Sequence, residues 1–549
     1  MFRNLVVLLC LSAGLVHPSA TAQTLLLTNG VSPTSTGIVS ASLPDHLVVI
    51  YRNHAVPAGA DTWLRAFGAR SVHHLAALGL SAVVAAPGEG PALRASLAAR
   101  PEVASVLEDR IVRGHVILLG TAAAPPQSTN PQPAIISLPA PISSGRLTAP
   151  SIFSSIGDST LTALPAAAVA YDTDYNSPQG WAVRQAGGYG DAVPGGPPAG
   201  PWNTSLGAGI RIAVLDSGID ASHPDIAPNL VYQASLIDQS SNGEPSPCDD
   251  ASPQDQSGHG TWVASLAVGA LGVGSGNVIG IAPHASLLSI KVLERLPSGT
   301  GVTLAAQCEA GQPGGLLSWV LAGINAAVAQ HAGIIVLSLG AVVDLTTGDG
   351  AGWKAQFDSA AYAAEQAGAV LVAAVGNDGL DLSGGRYLEL PAQARGVLAV
   401  VADTNPGCAE NLASNAACAP GSVTRAYYSN HGVAGAIAAP GGSDPEGSDT
   451  GISGFVRGAC SSGLTGTTDG LPGDGPYSFG CFNQGHTPYV QAMGTSAAAP
   501  LVAGAIAILR AERPGLTPAQ IVSLIQQTAS STTAMAEPQL NLPAALLAQ

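Results

Sequence analysis

Ile212-Ala213-Val214-Leu215-Asp216-Ser217-Gly218-Ile219-Asp220 is the stretch that decides the fold of this chain. Four apolar residues in a row, closed by a Ser-Gly turn, predict a strand buried on both faces. Strands of that kind belong to parallel sheets. A carboxylate at the carboxyl end of one, Asp216, stands where open α/β sheets build their sites. Taken alone, an Asp in this place is a cap or turn residue, so its meaning depends on what the rest of the chain brings to it.

Downstream, residues 260–270 read as helix, 286–292 as strand, 316–331 as a long amphipathic helix and 334–339 as strand. Residues 353–367 read as helix, 369–375 and 397–402 as strands, and 496–510 as helix. Apolar strands alternating with helices predict an α/β domain over 177–549, with a mostly parallel, doubly wound sheet between two helical layers. Gly/Ser/Pro-rich stretches at 239–257, 294–314, 403–424 and 441–488 read as surface insertions.

Upstream the texture is different. Residues 46–114 offer strands at 46–51, 81–86 and 103–112 and helices at 60–68 and 91–99, a small α+β unit that is marginal on its own. Residues 23–45 read as a flexible leader. Residues 115–176, rich in Pro, Ala and Ser, read as an exposed linker open to cleavage. At the start, Arg3, the apolar run Leu5 to Val16 and the small residues Ala20-Thr21-Ala22 predict an export signal over 1–22. That run is too short to cross a bilayer. No later stretch is expected to be long and apolar enough to span a membrane, so no membrane anchor is implied, and a secreted or periplasmic monomer is expected.

The net charge is −16, and all of it lies after residue 176, where 11 Lys and Arg face 27 Asp and Glu. An acidic body argues against nucleic acid or anionic membranes as partners. Lysine occurs only at Lys291 and Lys354. Cys10 falls in the signal. Cys248, Cys308, Cys408, Cys418, Cys460 and Cys481 remain, an even set that predicts disulfides in an exported chain without fixing their pairing. Bridges Cys408–Cys418 and Cys460–Cys481 would close short loops and leave Cys248 for Cys308. Close C-x-x-C spacing is absent, which opposes a zinc site.

Two further segments give Asp216 its meaning. Gly258-His259-Gly260-Thr261 sets an imidazole at a helix start, and Gly494-Thr495-Ser496-Ala497 sets a hydroxyl at another, where orphan amides favour negative charge. A serine hydroxyl is a weak nucleophile at neutral pH. It needs an imidazole to take its proton and a carboxylate to hold that imidazole in the right tautomer. Ala374-Val375-Gly376-Asn377-Asp378 adds an amide side chain just past a strand, placed to serve a developing oxyanion. Each segment alone is ordinary; their order and flanks together are not.

VLDSGID, GHGT, AAVGND and GTSAAAP together resemble the four signature blocks of the subtilase family, with the chain order Asp, His, Ser. The resemblance implies a subtilisin-like fold with a sheet of about seven strands. It implies an endopeptidase in which Asp216 orients His259, His259 is general base and acid, Ser496 is the nucleophile and Asn377 donates to the oxyanion. Ser338-Leu339-Gly340 is similar to the family's segment that pairs with substrate as an added strand, and Gly315-Leu316 to the opposite wall. Residues 46–114 resemble the family's inhibitory propeptide, which makes the chain's own N-terminal unit a partner beside polypeptide substrates.

No cofactor is implied for the chemistry. A structural calcium is suggested by Asp225, which matches an acidic ligand in the family, although the loop 271–280 offers few oxygens. Trp262, Ser265, Ala497 and Leu501 depart from the family pattern around the triad. A Cys248–Cys308 bridge is expected to brace the cleft rim. For the primary pocket, small residues at Gly340-Ala341 and Ala373-Ala374 suggest room for a bulky apolar group, while Glu389 or Asp381 would admit a basic one. Esterases of the Gly-x-Ser-x-Gly type place serine before histidine, and sedolisin-type peptidases carry Glu at the place of His259. Neither fits.

Overall fold

The computed structural model describes residues 38–115, 175, 180–191, 199–237, 246–271, 277–297, 303–309, 311–405, 423–443, 454–462, 481–484 and 487–548. The expected signal, most of the leader and nearly all of the linker lie outside these residues.

The α/β expectation holds. Parallel strands β5 (Arg211–Asp216), β6 (Leu230–Ser235), β7 (Ser286–Lys291), β10 (Ile334–Leu337), β12 (Val370–Ala374), β14 (Val397–Thr404) and β16 (Ile437–Pro440) make the central sheet, with short β15 (Thr424–Arg425) antiparallel at one edge. Its order is β15-β14-β12-β10-β5-β7-β6, with β16 also on β14, one strand more than expected. Successive side chains of a strand point to opposite faces, so each buried run feeds two cores. Ile212, Val214, Ile334 and Val336 face helices α3 (His259–Val268) and α6 (Thr495–Glu512). Ala213, Leu215, Ile335 and Leu337 face α4 (Leu317–Ala329) and α5 (Gly348–Gln366). This two-sided burial explains the unbroken apolar runs. Helix α6 corrects one expectation: it is long and apolar enough to cross a membrane, yet it lies buried as the central helix of the core.

The N-terminal unit is an antiparallel sheet of β1 (Ser42–Tyr51), β2 (Ala69–Leu75), β3 (Leu80–Ala85) and β4 (Val103–Gly114), covered by α1 (Ala60–Ala66) and α2 (Gly90–Ala98). Strand β1 begins four residues before the expected boundary at His46. Asp45 is the reason: its buried carboxylate accepts from the amides of Gly88 and Gly90, both at 2.8 Å, and ties the strand to the start of α2. Strand β2, with its two histidines, carried no clear apolar alternation and was not expected.

Strand β4 leaves this unit and enters the body. It pairs antiparallel with β11 (Leu339–Asp344) and with β9 (Gln312–Leu316). The unit's sheet therefore runs on through β11 to β13 (Tyr387–Leu390), while β8 (Leu293–Leu296) flanks β9. A separate small sheet of β17 (Val456–Ala459), β19 (Thr487–Ala492) and β18 (Cys481–Gln484) forms from the insertion at 441–488. Two departures from the family pattern hold it: the Trp262 indole donates to the Val456 carbonyl at 3.2 Å, and the Ser265 hydroxyl accepts from the Ala459 amide at 2.9 Å.

Candidate active site

Asp216 ends β5, His259 opens α3 and Ser496 sits in the first turn of α6, so a strand of the sheet and the two helices on one of its faces converge. His259 Nδ1 lies 2.6 Å from Asp216 Oδ1, and His259 Nε2 lies 2.9 Å from Ser496 Oγ. The Ser496 hydroxyl also lies 3.0 Å from the Ser338 carbonyl oxygen. An imidazole held between a carboxylate and a hydroxyl in this way can move a proton off the hydroxyl.

The His259 loop is fixed by a residue the sequence reading passed over. Buried Asp255 accepts from the amides of Ser257, Gly258 and Thr261 and from the hydroxyls of Thr261 and Ser217, at 2.7 to 2.9 Å. Ser217, next to Asp216, in turn accepts from the Gly260 amide at 2.9 Å. The segments of two triad members are thus laced together. Gly260 has to be glycine, since a Cβ there would fall 2.1 Å from the Gly218 carbonyl oxygen. Buried Lys291 explains one of the two lysines: it pairs with Asp249 at 2.8 Å and donates to Gln254 and Gln256, pinning the same loop to β7.

Asn377 lies just past β12. Its Oδ1 accepts from both the amide and the hydroxyl of Thr495, each at 2.9 Å. This orients the side chain, and its buried Nδ2 has no hydrogen-bond partner among the described residues. An unspent buried donor beside the serine costs stability unless an acceptor arrives.

Ser338, Leu339, Gly340, Gly315 and Leu316 all border one segment, the end of β4. Leu339 pairs with Gly114 and Gly340 with Arg113 on one side; Leu316 pairs with Ile111 and Gly315 with Val112 on the other. At the tip, the His115 amide donates to the Ser338 carbonyl at 3.1 Å, and the His115 carbonyl accepts from the Ser496 amide at 3.1 Å. The chain thus lays its own strand across the triad. The sequence pattern ends the N-terminal unit at Gly114, and His115 lies one residue beyond it; its position directly after a strand is the available signal.

The expected bridge Cys248–Cys308 is present and joins the loop before His259 to the segment preceding β9; Cys460 is also disulfide-bonded. Asp225 is buried, with Oδ2 accepting from the Tyr489 hydroxyl at 2.8 Å and the His223 ring 3.7 Å away. Among the described residues no group of three or more His, Cys, Asp or Glu is placed to hold a metal ion. Calcium takes six to eight oxygens, and residues 272–276 of the loop expected to supply some of them lie outside the described residues. Asp381 is exposed, and its carboxylate accepts from the Ser383 amide at 2.9 Å.

The model of the subtilase family matches residues 207–543. Subtilisin E of Bacillus subtilis is 30% identical over 324 residues, covering 59% of this chain and 61% of that one. Thermitase of Thermoactinomyces vulgaris is 32% identical over 178 residues, covering 32% of this chain and 51% of its own. The chain therefore spans between half and two thirds of the length of these two relatives. Among solved structures, fervidolysin of Fervidobacterium pennivorans, a keratinolytic enzyme related to subtilisin, aligns with a TM-score of 0.56 at 19% identity, covering 94% of this chain and 62% of its own. The epidermin leader peptide processing protease of Staphylococcus aureus also aligns at 0.56, with 16% identity, over 91% of this chain and 97% of its own. Both likenesses concern the fold.

Proposed function

The chain belongs to the subtilase family, and from that premise we propose that it is a secreted serine endopeptidase made as an inhibited precursor. Ser496 attacks the carbonyl carbon of a peptide bond while His259 takes the hydroxyl proton. Asp216 holds the imidazole and stabilises its charged form. The oxyanion is received by the Ser496 amide and by Asn377 Nδ2. His259 then gives the proton to the leaving amine, and water hydrolyses the acyl-enzyme by the same route in reverse. Subtilases need no cofactor for this chemistry, and no calcium is assigned here.

One observation carries the reading: the Asp216–His259–Ser496 chain of contacts at 2.6 and 2.9 Å, with a peptide carbonyl already on the Ser496 amide. Substrates bind as an added strand between β9 and β11, where main-chain bonds give affinity. The unit 38–114 fills that place in the precursor and so acts as the chain's own inhibitor. Residues 1–22 direct export. Hydrolysis of casein tests the reading. The full chain digests it after self-processing, whereas Ser496→Ala loses at least about 10⁴-fold in rate and keeps the N-terminal unit uncut. A Ser496→Ala chain that still digests casein would refute it.

A further inference from the structure

Glu389 belongs to β13, opposite Val342 of β11, and its carboxylate is fully buried. Its Oε1 lies 3.1 Å from Nε2 of His115, the residue whose carbonyl rests on the Ser496 amide. The side chain that precedes the bond to be cut is therefore an imidazole, and the wall it meets is a carboxylate. Gly340 opens the way between them. A Cβ there would stand 2.0 Å from Glu389 Oε1 and 2.7 Å from His115 Cε1. Burial pushes the Glu389 carboxyl upward, and nearby Asp378 adds to that, while His115 opposes both.

A carboxylate without a cation is costly to keep in a closed pocket. The partner this pocket meets is the His115 imidazole, supplied by the chain lying in the cleft. Resting on the peptidase reading, we infer that Glu389 makes the enzyme selective for a cationic residue immediately before the scissile bond, and that the first bond it cuts is its own, on the carboxyl side of His115. In that step Ser496 Oγ bonds to the His115 carbonyl carbon and the carbon–nitrogen bond to the next residue breaks. The freed amine takes its proton from His259. Water then splits the ester, leaving a carboxylate on His115 and restoring the Ser496 hydroxyl. Protonated His, Arg and Lys are the side chains that suit the pocket. The N-terminal unit departs with the His115 imidazole and leaves Glu389 facing the open cleft.

The test uses the full chain and three changes: His115→Arg, His115→Leu and Glu389→Gln. N-terminal sequencing of the matured wild-type protein gives Val116 as the new first residue. His115→Arg matures at least as fast as the wild type, and His115→Leu at least about tenfold slower, since a site built for a charge rejects its absence. Glu389→Gln removes most of the difference between Arg and Leu at position 115. Should a variant misfold, the matured wild-type enzyme gives the same reading on peptides in trans, with kcat/KM at least about tenfold higher for Arg than for Leu at that place. Equal rates for Arg and Leu, or maturation at another bond, would overturn the inference. Labelling of Ser496 by a fluorophosphonate separates the two levels. A labelled enzyme without the preference loses only the pocket, while an unlabelled, inert chain loses the peptidase reading and the pocket together.

Discussion

The loop that carries His259 and the strand that carries His115 are each held by a buried aspartate, and they are held differently. Asp255 takes five hydrogen bonds, all from residues 217–261 of the catalytic body. Asp109, on β4, accepts from its neighbour Arg110 at 2.9 Å and from Ser318 of α4 at 3.3 Å, so part of its support comes from the other unit. The other polar contacts of that seam are of the same kind. The Trp353 indole donates to the Glu108 carbonyl at 2.9 Å, and Arg94 pairs with Asp349. The catalytic loop is fixed from within. The strand lying over it is fixed only for as long as the N-terminal unit stays docked. A rigid site covered by a strand that a separate unit holds suits the self-inhibited peptidase proposed above.

Asn377 is aimed by Thr495 and keeps one amide hydrogen unspent, so its role lies in the transition state rather than in the fold. Asn377→Ala is expected to lower kcat by about 10²–10³ with little change in KM. Steady-state kinetics on a peptide substrate check this, and a variant of normal kcat would remove Asn377 from the oxyanion site.

The removable side responds to pH. Burial raises the Asp109 carboxyl from 3.8 to about 6. The docked state therefore holds a proton over that range that the free unit has lost. Docking is strongest below the lower value, weakens as pH rises toward the upper one, and is level beyond it. Two pKa units correspond to at most about a 100-fold loss of affinity. The expected outcome is that the cut but undissociated unit inhibits better near pH 4 than near pH 7, and that Asp109→Asn flattens the curve and inhibits more tightly at pH 7. Residual peptidase activity, normalised at each pH to that of enzyme freed of the unit, decides the matter.

Much of this was legible in the residues because buried strands and triad segments announce themselves locally. The run Ile212 to Leu215 has no polar interruption, which only a strand covered on both faces permits. Asp216, His259 and Ser496 each carry flanking glycines that close packing demands; a Cβ on Gly260 would strike backbone. The missed strands β2 and β6 mix polar side chains into half-buried edges, so their pattern is weak. His115 was missed for a different reason. Its significance is not in its neighbours but in Ser338, Glu389 and Ser496, hundreds of residues away, which only folding brings together. Glu389 was one of two acidic candidates, and β13 beside β11 is what selects it over Asp381. Trp262 and Ser265 stood out as departures, and their purpose became visible only with the inserted sheet they anchor.

The most direct measurement is covalent. The matured enzyme, treated with a fluorophosphonate and digested, should carry one adduct, on the peptide containing Ser496, and His259→Ala, freed of its N-terminal unit by an added protease, should all but abolish it. An adduct on another serine, or labelling of Ser496 that does not depend on His259, would contradict the account.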